Sequence, residues 1–85
     1  MIKEPIITVD VHGMNVEKAL ETIKCKLANA GSAVYKIRII HGYHGGTRIR
    51  SAIREEFSYG REPKVKRVQP GENEGITELV LKELF

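Results

Sequence analysis

The chain has 85 residues, of which 41% are hydrophobic and 29% are charged, and its net charge is +3. A chain of this length supports one hydrophobic core, so we expect a single domain over residues 1–85. No apolar run reaches the roughly 18 residues of a membrane span, and the first residues lack a signal peptide's apolar stretch. The single cysteine, Cys25, cannot form an intramolecular disulfide and is expected to be partly buried and inert. These features predict a cytoplasmic protein without a membrane partner.

The basic residues are concentrated in one part of the chain. Residues 34–68 contain nine Lys or Arg and three Glu, a charge of +6, whereas the remainder carries −3. A small domain with a basic half is a plausible binder of polyanions such as RNA or DNA. The alternative is a solvated surface that happens to be basic, and composition alone leaves both interpretations open.

The first half of the chain predicts a strand followed by a helix. Residues 6–11 alternate between apolar and polar side chains, with Asp10 on the polar face. Asn15 is a good N-cap, and Gly31 supplies a stop for the helix. The apolar residues that recur at helical spacing between them are Val16, Leu20, Ile23 and Leu27.

The second half predicts a strand, a helix and a final pair of strands. Residues 34–40 form the second strand, Thr47 caps the second helix, and residues 64–69 and 76–84 form the last two strands. The order β-α-β-α-β-β predicts an α/β fold, a two-layer α+β sandwich with a mostly parallel sheet. We expect the first three strands to pair in parallel, and the last to join as an antiparallel hairpin partner.

The dipeptide His-Gly occurs twice, at residues 12–13 and 41–42, each time at the end of a predicted strand. If these strands are parallel neighbours, both histidines emerge at the carboxyl edge of the sheet, where open α/β sheets bind ligands. Asp10 and His12 share one face of their strand. We therefore expect Asp10, His12 and His41 to converge as a catalytic group, with Asp10 orienting a histidine that acts as general acid or base. An i, i+2 pair alone favours a structural role, in which Asp10 caps a loop; the second histidine favours catalysis.

A glycine-rich segment after the second strand is a candidate phosphate site. Its glycines allow close approach of the backbone to a ligand, and the helix that follows points free N–H groups at it. Arginines in the first turns oppose the helix dipole, which makes sense if an external phosphate lies among them. The candidate residues are Gly42, Tyr43, His44, Gly45, Gly46, Thr47, Arg48, Arg50 and Arg54.

Two further roles are open at this site. Tyr43 is expected either to stack on an unpaired base or to pack as an ordinary half-exposed tyrosine. Metal binding is the competing chemistry, because Asp10, His12, His41 and His44 could supply ligands to a divalent ion. Their spacing matches no standard zinc pattern, and the arginines disfavour a cation. We expect no tightly bound cofactor, and a requirement for loosely held Mg²⁺ or Mn²⁺ stays open.

Three segments in this order resemble the Smr (small MutS-related) domain family: VDVHG (residues 9–13), IIHGYHGGTRIR (residues 39–50) and GITELVL (residues 75–81). The resemblance implies a stand-alone single-domain member with a fold like the C-terminal domain of bacterial translation initiation factor three. It also implies DNA nicking or RNA endonuclease activity, with RNA or DNA as partner. Some members act at ribosomes, and a chain this short is expected to act through a larger protein partner as well.

The family's motifs carry over residue by residue. Its LDxH motif corresponds to Val9-Asp10-Val11-His12, which implies a catalytic role for Asp10 and His12. Its HGxGxG motif followed by Leu-Arg matches His41-Gly42 and Ile49-Arg50 at the two ends, but the middle is one residue longer here. The altered glycine spacing puts the geometry of the phosphate loop in question.

These observations favour a nuclease, a hydrolase that cleaves phosphodiester bonds, in which His12 or His41 moves the proton. The alternative is a module that docks on RNA, DNA or a ribosome without cutting. A small-molecule phosphate enzyme is a remoter interpretation, because neither G-x-G-x-x-G nor a P-loop is present.

Overall fold

The computed structural model describes residues 6–31, 33–43, 46–58 and 61–82, and it confirms the predicted α/β class and the order β-α-β-α-β-β. The helices are α1 (Val16–Ala28) and α2 (Gly46–Phe57). The strands are β1 (Ile6–Asp10), β2 (Lys36–Ile40), β3 (Arg67–Pro70) and β4 (Ile76–Val80). Neither helix is long and apolar enough to cross a membrane.

The helix α1 begins where the sequence predicts and ends earlier. The Asn15 side chain accepts a hydrogen bond from the backbone N–H of Lys18 at 2.7 Å, as an N-cap should. At the other end Asn29, and not Gly31, closes the helix, since its backbone N–H and its side-chain amide both donate to the Cys25 carbonyl. The prediction that Cys25 is partly buried is wrong, because it lies on the exposed side of α1.

The helix α2 begins one residue before the predicted cap. Its first residue is Gly46, so Thr47 is an exposed residue of the first turn and not the N-cap. The glycine-rich segment therefore runs directly into the helix. Its apolar stripe, as predicted, faces the core through Ile49, Ile53 and Phe57.

The sheet is mixed, with the strand order β1-β2-β4-β3. β1 and β2 are parallel neighbours, whereas β4 pairs antiparallel with both β2 and β3. The prediction that β3 pairs in parallel with the earlier strands is therefore wrong, although the antiparallel β3–β4 hairpin is confirmed. The physical reason lies in the composition of the two strands: β4 is almost wholly buried and takes the central position. β3 is basic and half-exposed and contains Pro70, as is typical of an edge strand.

Both helices pack on one face of this sheet, which we call the core face. Its strand residues alternate with those of the opposite face, which we call the open face. The core face and the helices contribute Val9, Ile37, Ile39 and Leu79 together with Ala19, Ile23, Leu27, Ile49, Ile53 and Phe57. The open face carries Thr8, Asp10, Lys36, Arg38, Ile40, Ile76 and Glu78, which stand in register across β1, β2 and β4. On it, Glu78 is buried beneath the side chains of Lys36 and Arg38.

Candidate functional site

Both His-Gly dipeptides lie at one edge of the sheet, as predicted. We call it the carboxyl edge; it consists of the ends of β1, β2 and β3 and the start of β4. The Gly75 carbonyl accepts hydrogen bonds from the backbone N–H groups of both His41 (2.9 Å) and Gly42 (3.0 Å). On the other side, the N–H of Val11 donates to the Ile40 carbonyl at 2.9 Å. These bonds extend the register of the strands past their ends and fix the backbone on which the candidate side chains stand.

Asp10 and His12 form a hydrogen-bonded pair at this edge. One carboxylate oxygen of Asp10, Oδ1, accepts from the backbone N–H of His12 at 3.1 Å and lies 2.5 Å from its ring Nδ1. The side-chain hydrogen bond from His12 is the main reason that the pKa of Asp10 is lowered. An ionised carboxylate can only accept, so the proton of the neutral imidazole is on Nδ1. The other nitrogen, Nε2, then carries a free lone pair on a side chain that is 69% exposed.

His41 is placed quite differently, because it is only 1% exposed. Its Nδ1 donates to the Gly42 carbonyl at 3.1 Å, and its Nε2 accepts from the Thr77 hydroxyl at 2.8 Å. Burial is the main reason that the pKa of His41 is lowered, and the charges of Arg50 and Arg54 lower it further against the opposing hydrogen bond to Gly42. His41 is therefore a neutral imidazole with both nitrogens engaged.

The expected convergence of Asp10, His12 and His41 is therefore wrong. Asp10 stands beside Ile40 on the open face, and His41, the next residue after Ile40, turns to the core face. A strand alternates its side chains, so two residues at one edge can lie on opposite sides of the sheet. In the described part of the chain, no three His, Cys, Asp or Glu side chains are grouped so that they could hold a metal ion. His44 and Gly45 lie outside the described residues.

The loop after β2 passes directly beside His12. Gly42 has a φ of +83°, and a Cβ built on it would lie 3.5 Å from the Cβ of His12. Tyr43 follows with 58% of its surface exposed. A Cβ built on Gly75 would lie 3.4 Å from the Tyr43 ring, so this ring covers the start of β4. The loop thus presents backbone and one aromatic ring between the two faces of the sheet.

Two of the predicted arginines line a hollow of about 350 Å³, which we call the hairpin pocket. Arg50 and Arg54, one turn apart on α2, form one wall. The β3–β4 hairpin forms the other through Pro70, Gly71, Asn73, Glu74, Ile76 and Thr77. Arg48 is exposed and does not line the pocket. Among the described residues, no carboxylate lies within ion-pair distance of any of these three arginines.

Sequence reasoning missed the contribution of the hairpin to this site. Asn73 and Glu74 belong to a segment that predicts only a turn, and nothing in it indicates that the turn would face α2. Thr77 could have been found, because a hydroxyl on the core face of a buried strand requires a hydrogen-bond partner. That partner is His41.

The comparisons with known proteins agree with this fold and these motifs. The family model of the Smr domain matches residues 9–80. The solved structure of the Smr domain of Thermus thermophilus MutS2 is similar, with 27% identity, a TM-score of 0.77, and coverage of 91% of this chain and 99% of that chain. No curated protein matches this chain in sequence. Smr domains generally bind nucleic acid, and some members are nucleases. By both the family model and the structural match, this chain belongs to the Smr domain family.

Proposed function

We propose that this Smr domain is an endonuclease that cleaves phosphodiester bonds of RNA or DNA, with His12 and Asp10 as its catalytic pair. The observation that carries the proposal is the exposed imidazole of His12, held by Asp10 so that Nε2 faces solvent with a free lone pair. A histidine in this state has a ring nitrogen that can take up a proton from a bound hydroxyl group.

The chemistry follows from that tautomer. Nε2 of His12 takes the proton of the attacking hydroxyl, which belongs to water or, in RNA, to a 2′-OH. The new P–O bond forms as the bond to the leaving oxygen breaks, and the leaving oxygen takes up a proton from the imidazolium or from solvent. Asp10 stabilises the imidazolium through Nδ1 and holds the ring in place.

His41 serves better as a positioning residue than as a proton carrier. It is buried on the core face, and neither ring nitrogen is free to take a proton from a substrate. Its bond to the Gly42 carbonyl holds the backbone that touches His12. In this proposal His12 alone moves the proton, and His41 acts through the loop.

The phosphate backbone of the nucleic acid is bound by positive charge on α2. Arg48 and Arg50 stand near the start of the helix at Gly46, where helix N–H groups favour an anion, and Arg54 lies in its last turn. Displaced counterions should make the affinity fall steeply with salt. An affinity that does not change with ionic strength would contradict the role of α2 as the phosphate-binding surface. Cleavage with Mg²⁺, with Mn²⁺ and with EDTA decides whether activity requires a divalent ion.

The test is cleavage of end-labelled single- and double-stranded RNA and DNA by the wild type, Asp10→Asn and His12→Ala, with affinity measured on the same substrates. We expect both variants to lose cleavage and to retain binding, because neither removes an arginine. Glu21→Gln is a matched control for Asp10→Asn, since it also changes an exposed carboxylate to an amide, but on α1.

If the wild type cleaves these substrates and both Asp10→Asn and His12→Ala do not, the result supports the proposed nuclease activity. Equal loss of binding and cleavage in folded variants would contradict the separate roles of the pair and the arginines. Binding without cleavage under every condition would overturn the nuclease and favour a module that docks on RNA, DNA or a ribosome.

A further inference from the structure

We propose that the hairpin pocket is a second nucleotide subsite, separate from the Asp10–His12 pair. A nucleic-acid strand that occupies both sites must cross the carboxyl edge of the sheet without being base-paired. The inference rests on the proposed function for the position of the reacting phosphodiester. It adds a second binding site and a substrate class, a locally single-stranded nucleic acid.

The pocket has the size and the charge for a nucleotide. Its volume of about 350 Å³ lies in the range of small-molecule sites, and two arginines on one wall present guanidinium groups that bind phosphate with fixed geometry. The opposite wall is shaped by the turn of the hairpin. Gly71 is required there, because a Cβ at this position would overlap the side chain of Ile76. Asn73 fixes the turn by accepting the N–H of Gly75 at 2.8 Å.

The pocket and the catalytic pair lie on different sides of the sheet. Asp10 is on the open face, whereas Arg50 and Arg54 belong to α2, which packs on the core face. The backbone of two glycines lies between them. Gly42 lies against His12 on one side and against Gly75 on the other, and the Tyr43 ring lies over Gly75.

The path between the two sites is short and curved. From β1 to β3 the edge spans three strand spacings, about 14 Å, or a few nucleotides of an extended strand. A nucleic-acid strand that follows this edge must also turn from one face of the β-sheet to the other. A duplex has a persistence length of about 150 base pairs and cannot fold around such an edge, whereas an unpaired strand can.

Tyr43 is the one aromatic side chain on this path among the described residues. Its ring is largely exposed and lies over Gly75, whose neighbours Glu74 and Ile76 line the pocket. Stacking of an unpaired base on an aromatic ring stabilises binding and tolerates any base sequence. A base that is still paired in a duplex cannot offer its face to this ring.

Two charge-neutralising variants on one turn test the pocket. Glu74 lines it, and Glu72 is an exposed neighbour that does not. Glu74→Gln and Glu72→Gln raise the net charge equally, so any long-range effect is the same in both. We expect Glu74→Gln to tighten binding of an unpaired strand of about ten nucleotides by severalfold more than Glu72→Gln does. Equal effects of the two variants would overturn the subsite.

Arg54→Ala tests the arginine wall in the same assay. We expect it to weaken binding of the unpaired strand about tenfold or more, while Lys26→Ala on the last turn of α1 has little effect. If Arg54→Ala binds the unpaired strand with the affinity of the wild type, the subsite is overturned, even if His12→Ala abolishes cleavage.

The substrate class is tested by annealing the same strand to its complement. We expect the duplex to bind at least tenfold more weakly than the unpaired strand, and Tyr43→Leu to reduce this preference. Equal affinity for the unpaired strand and the duplex would overturn the proposal that the nucleic acid crosses the carboxyl edge unpaired. Binding that depends on Arg54 and on an unpaired strand, without any cleavage, would support the subsite while contradicting the proposed nuclease, so the two failures are distinguishable.

Discussion

The imidazole of His41 and the hydroxyl of Thr77 are joined by a 2.8 Å hydrogen bond between residues 36 positions apart in the chain. This bond explains why two identical His-Gly dipeptides have different surroundings. The buried His41 is held between Thr77 and the Gly42 carbonyl, whereas His12 is tethered by Asp10 and open to solvent. The first is part of the core, and the second is available to a ligand.

Thr77→Val should destabilise the fold. The substitution keeps the shape of the side chain but removes the hydroxyl that His41 requires, leaving a buried ring nitrogen without a donor. A cost of about 1–3 kcal/mol in the free energy of unfolding is expected. Urea denaturation measures it. Thr8→Val on the exposed open face is the matched control and should change stability by less than about 0.5 kcal/mol. Similar effects of the two variants would contradict the role of the hydrogen bond.

The lowered pKa of His41 predicts loss of stability on mild acidification. Unfolded His41 takes up a proton near pH 6.5, and the folded, buried imidazole does so only at lower pH. The unfolded state therefore binds more protons in that window, and the free energy of unfolding falls as pH decreases through it. The stabilisation is fully present above pH 6.5.

The measurement is urea denaturation between about pH 7 and about pH 5 for the wild type and His41→Gln. The amide oxygen of Gln can accept from Thr77 but does not titrate, so the variant should show a smaller decrease over this range. The carboxyls with lowered pKa values, Asp10 and Glu78 among them, lose their contributions at lower pH and do not enter the comparison. A decrease of the same size in both proteins would show that another group is responsible.

Gly42→Ala should destabilise the loop beside His12. The positive φ of Gly42 is a conformation that costs a residue with a Cβ about 1–2 kcal/mol, although the added methyl group would have room. Gly31→Ala is the matched control, because Gly31 has open space around it and no positive φ. Thermal or urea unfolding of the two variants should differ by the cost of the strained backbone. Equal stability would show that the loop relaxes without penalty.

Glu78→Gln should cost more than Glu56→Gln. Glu78 is buried on the open face and bonds to Lys36, Arg38 and Gln69. Burial alone would raise its pKa, but these bonds outweigh burial and lower it. Loss of its charge leaves two cations without their carboxylate, at a cost of about 1–3 kcal/mol.

The comparison pair, Glu56 with Lys24, is solvent-exposed, and such pairs contribute less than about 1 kcal/mol. The free energies of unfolding of both variants in low salt provide the comparison. A larger loss of stability in Glu56→Gln than in Glu78→Gln would contradict the role of the Glu78 ion pairs in stabilising the sheet.

Local patterns were sufficient for much of the fold. The alternation in β1 and β2, the helical spacing in α1 and α2 and the capping Asn15 predicted every element of the structure in the correct order. The ends of the elements were less accurate, because α1 is closed by the hydrogen bonds of Asn29 to the Cys25 carbonyl and α2 begins at Gly46, and no local pattern singled out either position. The pairing of β3 was wrong, since a strand's neighbours are chosen by burial across the whole sheet.

The sequence by itself determined the type of the elements, the Smr motifs and the Asp10–His12 pair, because these depend on residues within a few positions of one another. Only the tertiary structure decided that β4 lies between β2 and β3, that His41 turns to the core face, and that the hairpin meets Arg50 and Arg54 in a pocket. Each of these outcomes depends on contacts between distant segments. Which distant segments pack together is decided by the apolar surface buried over the whole fold, and a pattern of neighbouring residues does not contain that information.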